Sequence, residues 1–109
     1  MHFPAKKYNK KENEIMKKTY IVRGDRSGVF FGEIESREGR EVTMHNVRRL
    51  WHWRGATECC QLAAEGVKDP RNCKFTMFVD EVVVLDAIEI HPCTEEAAAS
   101  ISEVKEWKM

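Results

Sequence analysis

The run Val47 to Arg54 (VRRLWHWR) constrains this chain more than any other stretch. Read as a strand, its period of two places Val47, Arg49, Trp51 and Trp53 on one face and Arg48, Leu50, His52 and Arg54 on the other. One face then offers aromatic surface and the other positive charge. Between Met44 and Arg54 there are three Arg and no acid. Such a strand is a platform for an anionic, flat-ringed ligand. The same pattern also describes a barrel strand with a Trp core and an Arg-fringed edge.

The chain has 109 residues, enough for one domain with a single modest core. Residues 1–18 form a Lys- and Asn-rich arm with few apolar anchors, and residues 19–109 form the domain. Val29–Glu35 alternates like a strand, and Gly32 in its middle marks a bend or bulge. Arg37-Glu38-Gly39-Arg40 is a hairpin turn, and Glu41–Met44 returns to a kink near His45-Asn46 before the basic strand begins. Gly55 ends that strand. Thr57 caps a short helix that buries Cys59, Leu62 and Ala63 and stops at Gly66. Phe75 to Leu85 is rich in β-formers with a turn at Asp80-Glu81, and Val82 to Leu85 reads as a buried strand. Ile88 to His91 alternates again, Thr94 caps a second helix, and Val104 to Lys108 frays or adds an edge strand with Trp107 inward. The predicted fold is α+β: a small, strongly bent antiparallel sheet of about five strands, barrel-like in outline, with two short helices.

Net charge is zero but unevenly spread. Six Lys face Glu12 and Glu14 in residues 1–18, while eight acids face Lys105 in residues 80–106. A basic end and an acidic end suit head-to-tail pairing of copies, which predicts a homo-oligomer, or local binding of polyanions. No apolar run approaches a membrane span and no secretory signal stands out, so a cytoplasmic protein without membrane contact is expected. Four Cys in that setting read as free thiols.

Catalytic patterns are weak. Cys59 and Cys60 open a helix, where the dipole lowers a thiol pKa, with His52 and Arg54 nearby in sequence. No motif places a substrate beside them. Zinc ligands come in close pairs from tight turns, and only Cys59-Cys60 and His91-x-Cys93 are near neighbours, so neither metal nor cofactor is expected. Gly24-x-x-x-Gly28 lacks the Lys-Ser/Thr of a phosphate loop. The chain reads as non-catalytic. Its expected ligand-binding residues are Arg48, Arg49, Trp51, His52, Trp53 and Arg54. Lys6, Lys7, Lys10 and Lys11 are expected to contact a partner from the arm. Arg supplies charge-assisted hydrogen bonds and Trp a stacking plane, and net neutrality favours a small anionic ligand or an acidic partner over long nucleic acid.

The ordered motifs Arg48-Arg49-x-Trp51-x-Trp53-x-Gly55-Ala56, Gln61-Leu62-Ala63-x-Glu65-Gly66-Val67, Cys73-Lys74-Phe75, Ala87-Ile88-Glu89-Ile90-x-Pro92-Cys93-Thr94 and Ser100-Ile101-x-x-Val104-x-x-Trp107 carry a resemblance. Over roughly residues 17–107 the chain resembles a family of small phage- and prophage-encoded proteins of unknown function. The resemblance implies a viral gene product, with counter-defence binding of a host protein or nucleotide signal as one role. A virion or assembly role, with the arm docked on neighbouring subunits, is the other. It implies no catalytic residue.

Overall fold

The computed structural model describes residues 18–108; the arm residues Lys6, Lys7, Lys10 and Lys11 lie outside this range. The fold is α+β. Strands β1 (Tyr20–Gly24), β2 (Val29–Glu38) and β3 (Glu41–His52) are followed by helix α1 (Cys59–Glu65) and a 3-10 turn (Pro70–Asn72). Then come β4 (Lys74–Phe75), β5 (Val79–Val84), β6 (Ala87–Pro92) and helix α2 (Glu95–Glu103). The six-stranded antiparallel sheet runs β4-β3-β2-β1-β6, and β5 also pairs with β3. β3 is the central long strand. β2 lies along one edge of it, while β5 takes the first half of the other edge (Val42↔Val84 to Val47↔Val79) and β4 the second (Leu50↔Phe75).

The break between β4 and β5 falls at residues 76–78, whereas the sequence suggested a turn at Asp80-Glu81. Thr76 explains the shift. Its amide donates to the Arg49 carbonyl at 3.0 Å, and its hydroxyl accepts from the Arg49 amide at 2.9 Å. The side chain thereby substitutes for a ladder position, and the main chain bulges around it.

The predicted bend is present and has two causes. Asn46, at φ 49°, is an extra residue in β3 relative to β2, and Glu35 is an extra residue in β2 relative to β3. Gly32 sits against the first bulge, where a Cβ would lie 2.8 Å from Val47 Cα. Only the bare glycine lets the two backbones approach that closely. The bending rolls the sheet. β5 and β6 belong to opposite edges, yet only Leu85 and Asp86 connect them. Among the described residues the sheet remains open and does not close into a barrel.

Rolling gives the sheet two apolar faces, as the adjacent pairs Ile21/Val22 and Phe30/Phe31 require. The inner cluster joins Val22, Phe30, Val42, Met44, Val47, Val84 and Ala87 from edge to edge. The outer cluster joins Ile21, Phe31, Leu50 and Phe75 to Leu62 and Ala63 of α1 and Ile101 of α2. The expected buried run at Val82–Leu85 is only partly realised. Val84 is buried, but Val83 is 43% and Leu85 70% exposed, because β5 keeps strand alternation up to the turn.

α1 stops at Gly66, with φ 75°, as expected. Its N-cap is Glu58, one residue later than predicted: the carboxylate accepts from the Gln61 amide, while Thr57 donates to Gln61 Oε1. α2 is capped as predicted by Thr94, whose hydroxyl oxygen accepts from the Ala97 amide at 3.0 Å and donates to Ala64 O at 2.8 Å. Ser100 Oγ pins the helices together, accepting from Val67 N and donating to Val67 O. The C-terminal segment touches the edge of β4 through Phe75↔Glu106 and Trp107 N to Phe75 O. Trp107 is 36% exposed there, stacked under Lys74, and does not point inward.

Candidate ligand-binding site

Strand alternation in β3 separates the two central arginines. Arg48 pairs with Phe31 and enters the outer, helix-covered face, while Arg49 pairs with Phe30 and enters the inner face.

Arg48 is 2% exposed. Its Nε donates to Thr76 O at 2.9 Å, and Nη1 donates to the carbonyls of Ile101 at 3.0 Å and Val104 at 2.9 Å. These last two belong to the C-terminal turn of α2, where helix carbonyls lack intrahelical partners and the dipole favours a cation. The guanidinium also lies 4.6 Å from the Phe78 ring centre and 5.4 Å from that of Phe75. Burial lowers its pKa from the ordinary value, opposed by the nearby Glu106 carboxylate. Arg48 therefore leaves the expected ligand-binding set. It is the cap and clamp of α2, and the sequence showed only an Arg among other Arg.

Arg49 has the opposite environment. The two hydrogen bonds with Thr76 hold its backbone, and its guanidinium stands 4.9 Å from the Phe30 ring centre. Among the described residues, no carboxylate lies within ion-pair distance of it. It borders an open groove of about 210 Å³ together with Phe30, Val47, Thr76, Met77, Val79 and Val82. Trp51, two residues on, is the extra residue of a bulge against β4, where Leu50 pairs with Phe75 and His52 with Lys74, and is 62% exposed.

The remaining expected residues divide. His52 and Arg54 are exposed at the end of β3. Trp53 does not share the face of Trp51: β3 ends at His52, the chain turns at Gly55 (φ 90°), and Trp53 packs against the helix-side core. A Cβ on Gly55 would fall 2.6 Å from Lys68 N, so the turn is tight against the loop after α1. The groove's other wall, residues 76–79, was invisible in sequence because the bulge at Thr76 has no local signature.

All four cysteines are free thiols, as expected; Cys59 and Cys73 are buried and Cys60 is exposed. Burial pushes the Cys93 thiol up to about 11. On the outer face of the hairpin, His45 Nε2 lies 3.0 Å from Glu81 and 3.4 Å from Glu35. The ligand atoms of these three lie within 4.8 Å of one another, close enough to hold a cation.

Among the described residues, no helix is long and apolar enough to cross a membrane. A family model described as a domain of unknown function (DUF6948) matches residues 17–101. No curated protein and no solved structure matches the chain.

Proposed function

From the premise that the chain belongs to the DUF6948 family of domains of unknown function, we propose that it is a non-catalytic binding protein for a small anionic ligand with a flat ring, of the nucleotide class. The observation that supports this reading is Arg49, a cation seated on Phe30 beside an open groove, with no acid paired to it among the described residues. The guanidinium supplies a charge-assisted bond to a phosphate, worth about 1.5–3 kcal/mol. Trp51 supplies the stacking plane, worth roughly 1–3 kcal/mol per base. Arg54, exposed just beyond the end of β3, adds a second cation to the segment.

The same proposal takes the protein to be phage- or prophage-encoded, acting in the host cytoplasm by sequestering a ligand or engaging an acidic host partner, as a counter-defence factor would. It also takes the working form to be a homo-oligomer. Leu85 and Ile88, 70% and 46% exposed around the β5–β6 turn, offer apolar surface to a second copy, and the opposite charges of the two chain ends favour a head-to-tail contact.

The test is native mass spectrometry of protein isolated from phage-infected cells, for wild type and Arg49→Ala, followed by titration with purified nucleotides read by tryptophan fluorescence, with Trp51→Phe as the control for its share of the signal. A nucleotide carried by the wild type and lost from the variant is expected. A wild type that carries no small molecule and whose fluorescence no nucleotide changes would overturn the reading.

A further inference from the structure

On the outer face of the sheet, away from Arg49, four side chains meet in series. Cys60 Sγ at the start of α1 lies 3.8 Å from His91 Nδ1 on β6. His91 Nε2 lies 2.8 Å from Glu89 Oε1 on the same strand. Glu89 Oε2 is in turn 3.3 Å from Arg23 Nη1 on β1. Alternation along β6 puts residues 89 and 91 on one face, and the register with β1 sets Arg23 opposite Glu89. The hydrogen bond to His91 holds the Glu89 carboxyl below its ordinary value, so Glu89 is ionised and accepts the Nε2 proton. In the neutral ring that donates Nε2–H to Glu89, the Nδ1 lone pair faces the thiol. A thiol, a base whose lone pair faces it, and an ionised acid orienting that base are the parts a nucleophilic cysteine needs.

We propose that Cys60 is a reactive thiol site, with His91 as general base and Glu89 as positioning residue, whose substrate is a small cationic disulfide. Cys60 is exposed, whereas Cys59 and Cys73 are buried, so a reagent reaches it first. Glu58, the N-cap of α1, and Glu89 give the site an acidic rim that favours a cation. Desolvation, then the charge of Glu58 and its hydrogen bond with the thiol, then the charge of Glu89 raise the Cys60 pKa, so the resting thiol keeps its proton. Proton removal then accompanies attack. Cys60 S–H gives its proton to His91 Nδ1 as its sulfur bonds to one sulfur of the disulfide. The S–S bond breaks, and the departing thiolate takes the proton from His91. The departing half of the disulfide is reduced to a free thiol, and Cys60 is oxidised into the mixed disulfide with the other half. A thiol of high pKa is also the more nucleophilic once deprotonated.

Among the described residues, the charged groups facing the pair are Glu58 before α1, Glu89 on β6 and Arg23 on β1. The experiment is the rate of mixed-disulfide formation with cystamine across pH, located by peptide mass spectrometry, in wild type, Cys60→Ser, His91→Gln and Glu89→Gln. Cys60 should be the fastest-reacting cysteine. His91→Gln should slow it at neutral pH by about a hundredfold, the lower end of what a general base contributes. It should also move the pH–rate profile upward to that of an unassisted thiol. Glu89→Gln, which leaves the strand pairing intact, should shift the profile in the same direction by less. Equal rates and equal pH profiles in wild type and both variants, or faster reaction at another cysteine, would overturn the proposal.

Discussion

Arg48 and Arg49 are neighbours in the chain and occupy opposite faces of one strand. The first donates to α2 carbonyls under two phenylalanines, and the second stands over Phe30 beside an open groove. Their substitutions should therefore separate stability from binding.

Arg48→Ala should destabilise the fold by about 3 kcal/mol or more, because it strands buried carbonyls and empties the space between Phe75 and Phe78. A melting temperature lower by roughly 10 °C or more is the expected reading in calorimetry. Arg48→Lys should recover only part of this, since one ammonium cannot span Thr76 O and Val104 O in the guanidinium's planar geometry. An unchanged melting temperature for Arg48→Ala would contradict the clamp.

Arg49→Ala loses a cation–π contact of about 0.5–1 kcal/mol and leaves its backbone bonds to Thr76 in place. The melting temperature should fall by no more than several degrees, with nucleotide-dependent quenching of Trp51 abolished. Binding that survives with wild-type affinity would remove Arg49 from the site.

Gly32→Ala puts a Cβ 2.8 Å from Val47 Cα, against backbone that cannot rotate away. The bulge at Asn46 must shift, at a cost of about 1–3 kcal/mol by analogy with overpacked cores. Chemical denaturation should report this loss. A neutral substitution would mean that the bend does not depend on this close approach.

Asp86 ties the β1–β2 loop to the β5–β6 turn. Ser27 Oγ and the amides of Arg26 and Ser27 donate to its carboxylate and hold its pKa below the ordinary 3.8. The folded pKa is the lower one, so the carboxylate's stabilisation is fully present above the unfolded value and is lost as pH falls through the folded value. Asp86→Ala should therefore melt below wild type at neutral pH, with the gap closing in acid below the ordinary aspartate range. A gap independent of pH would assign the effect to packing alone.

Leu85→Lys places a charge on the most exposed apolar side chain of the β5–β6 turn. Light scattering should show a smaller assembly than wild type, with the melting curve of the isolated subunit unchanged. An identical mass for the two proteins would move the subunit contact elsewhere.

What the chain determines locally is legible in its amino-acid order. Alternation at residues 47–50, the Gly39 turn, the Thr94 cap, the Gly66 stop and the bend at Gly32 and Asn46 each follow from short-range chemistry, and each is present. Local pattern also separated Arg48 from Arg49 by face. It could not say which face the helices would cover, because Phe30 and Phe31 make both faces apolar. Tertiary structure decided that, by placing the C-terminus of α2 over residue 48, more than fifty positions away in the chain. It likewise supplied Cys60 with His91 from β6, where sequence proximity had suggested His52. Periodicity is a property of one segment and survives in any fold that keeps the segment extended. A carbonyl to cap or a base to face a thiol comes from a distant segment, and no local pattern records which one arrives.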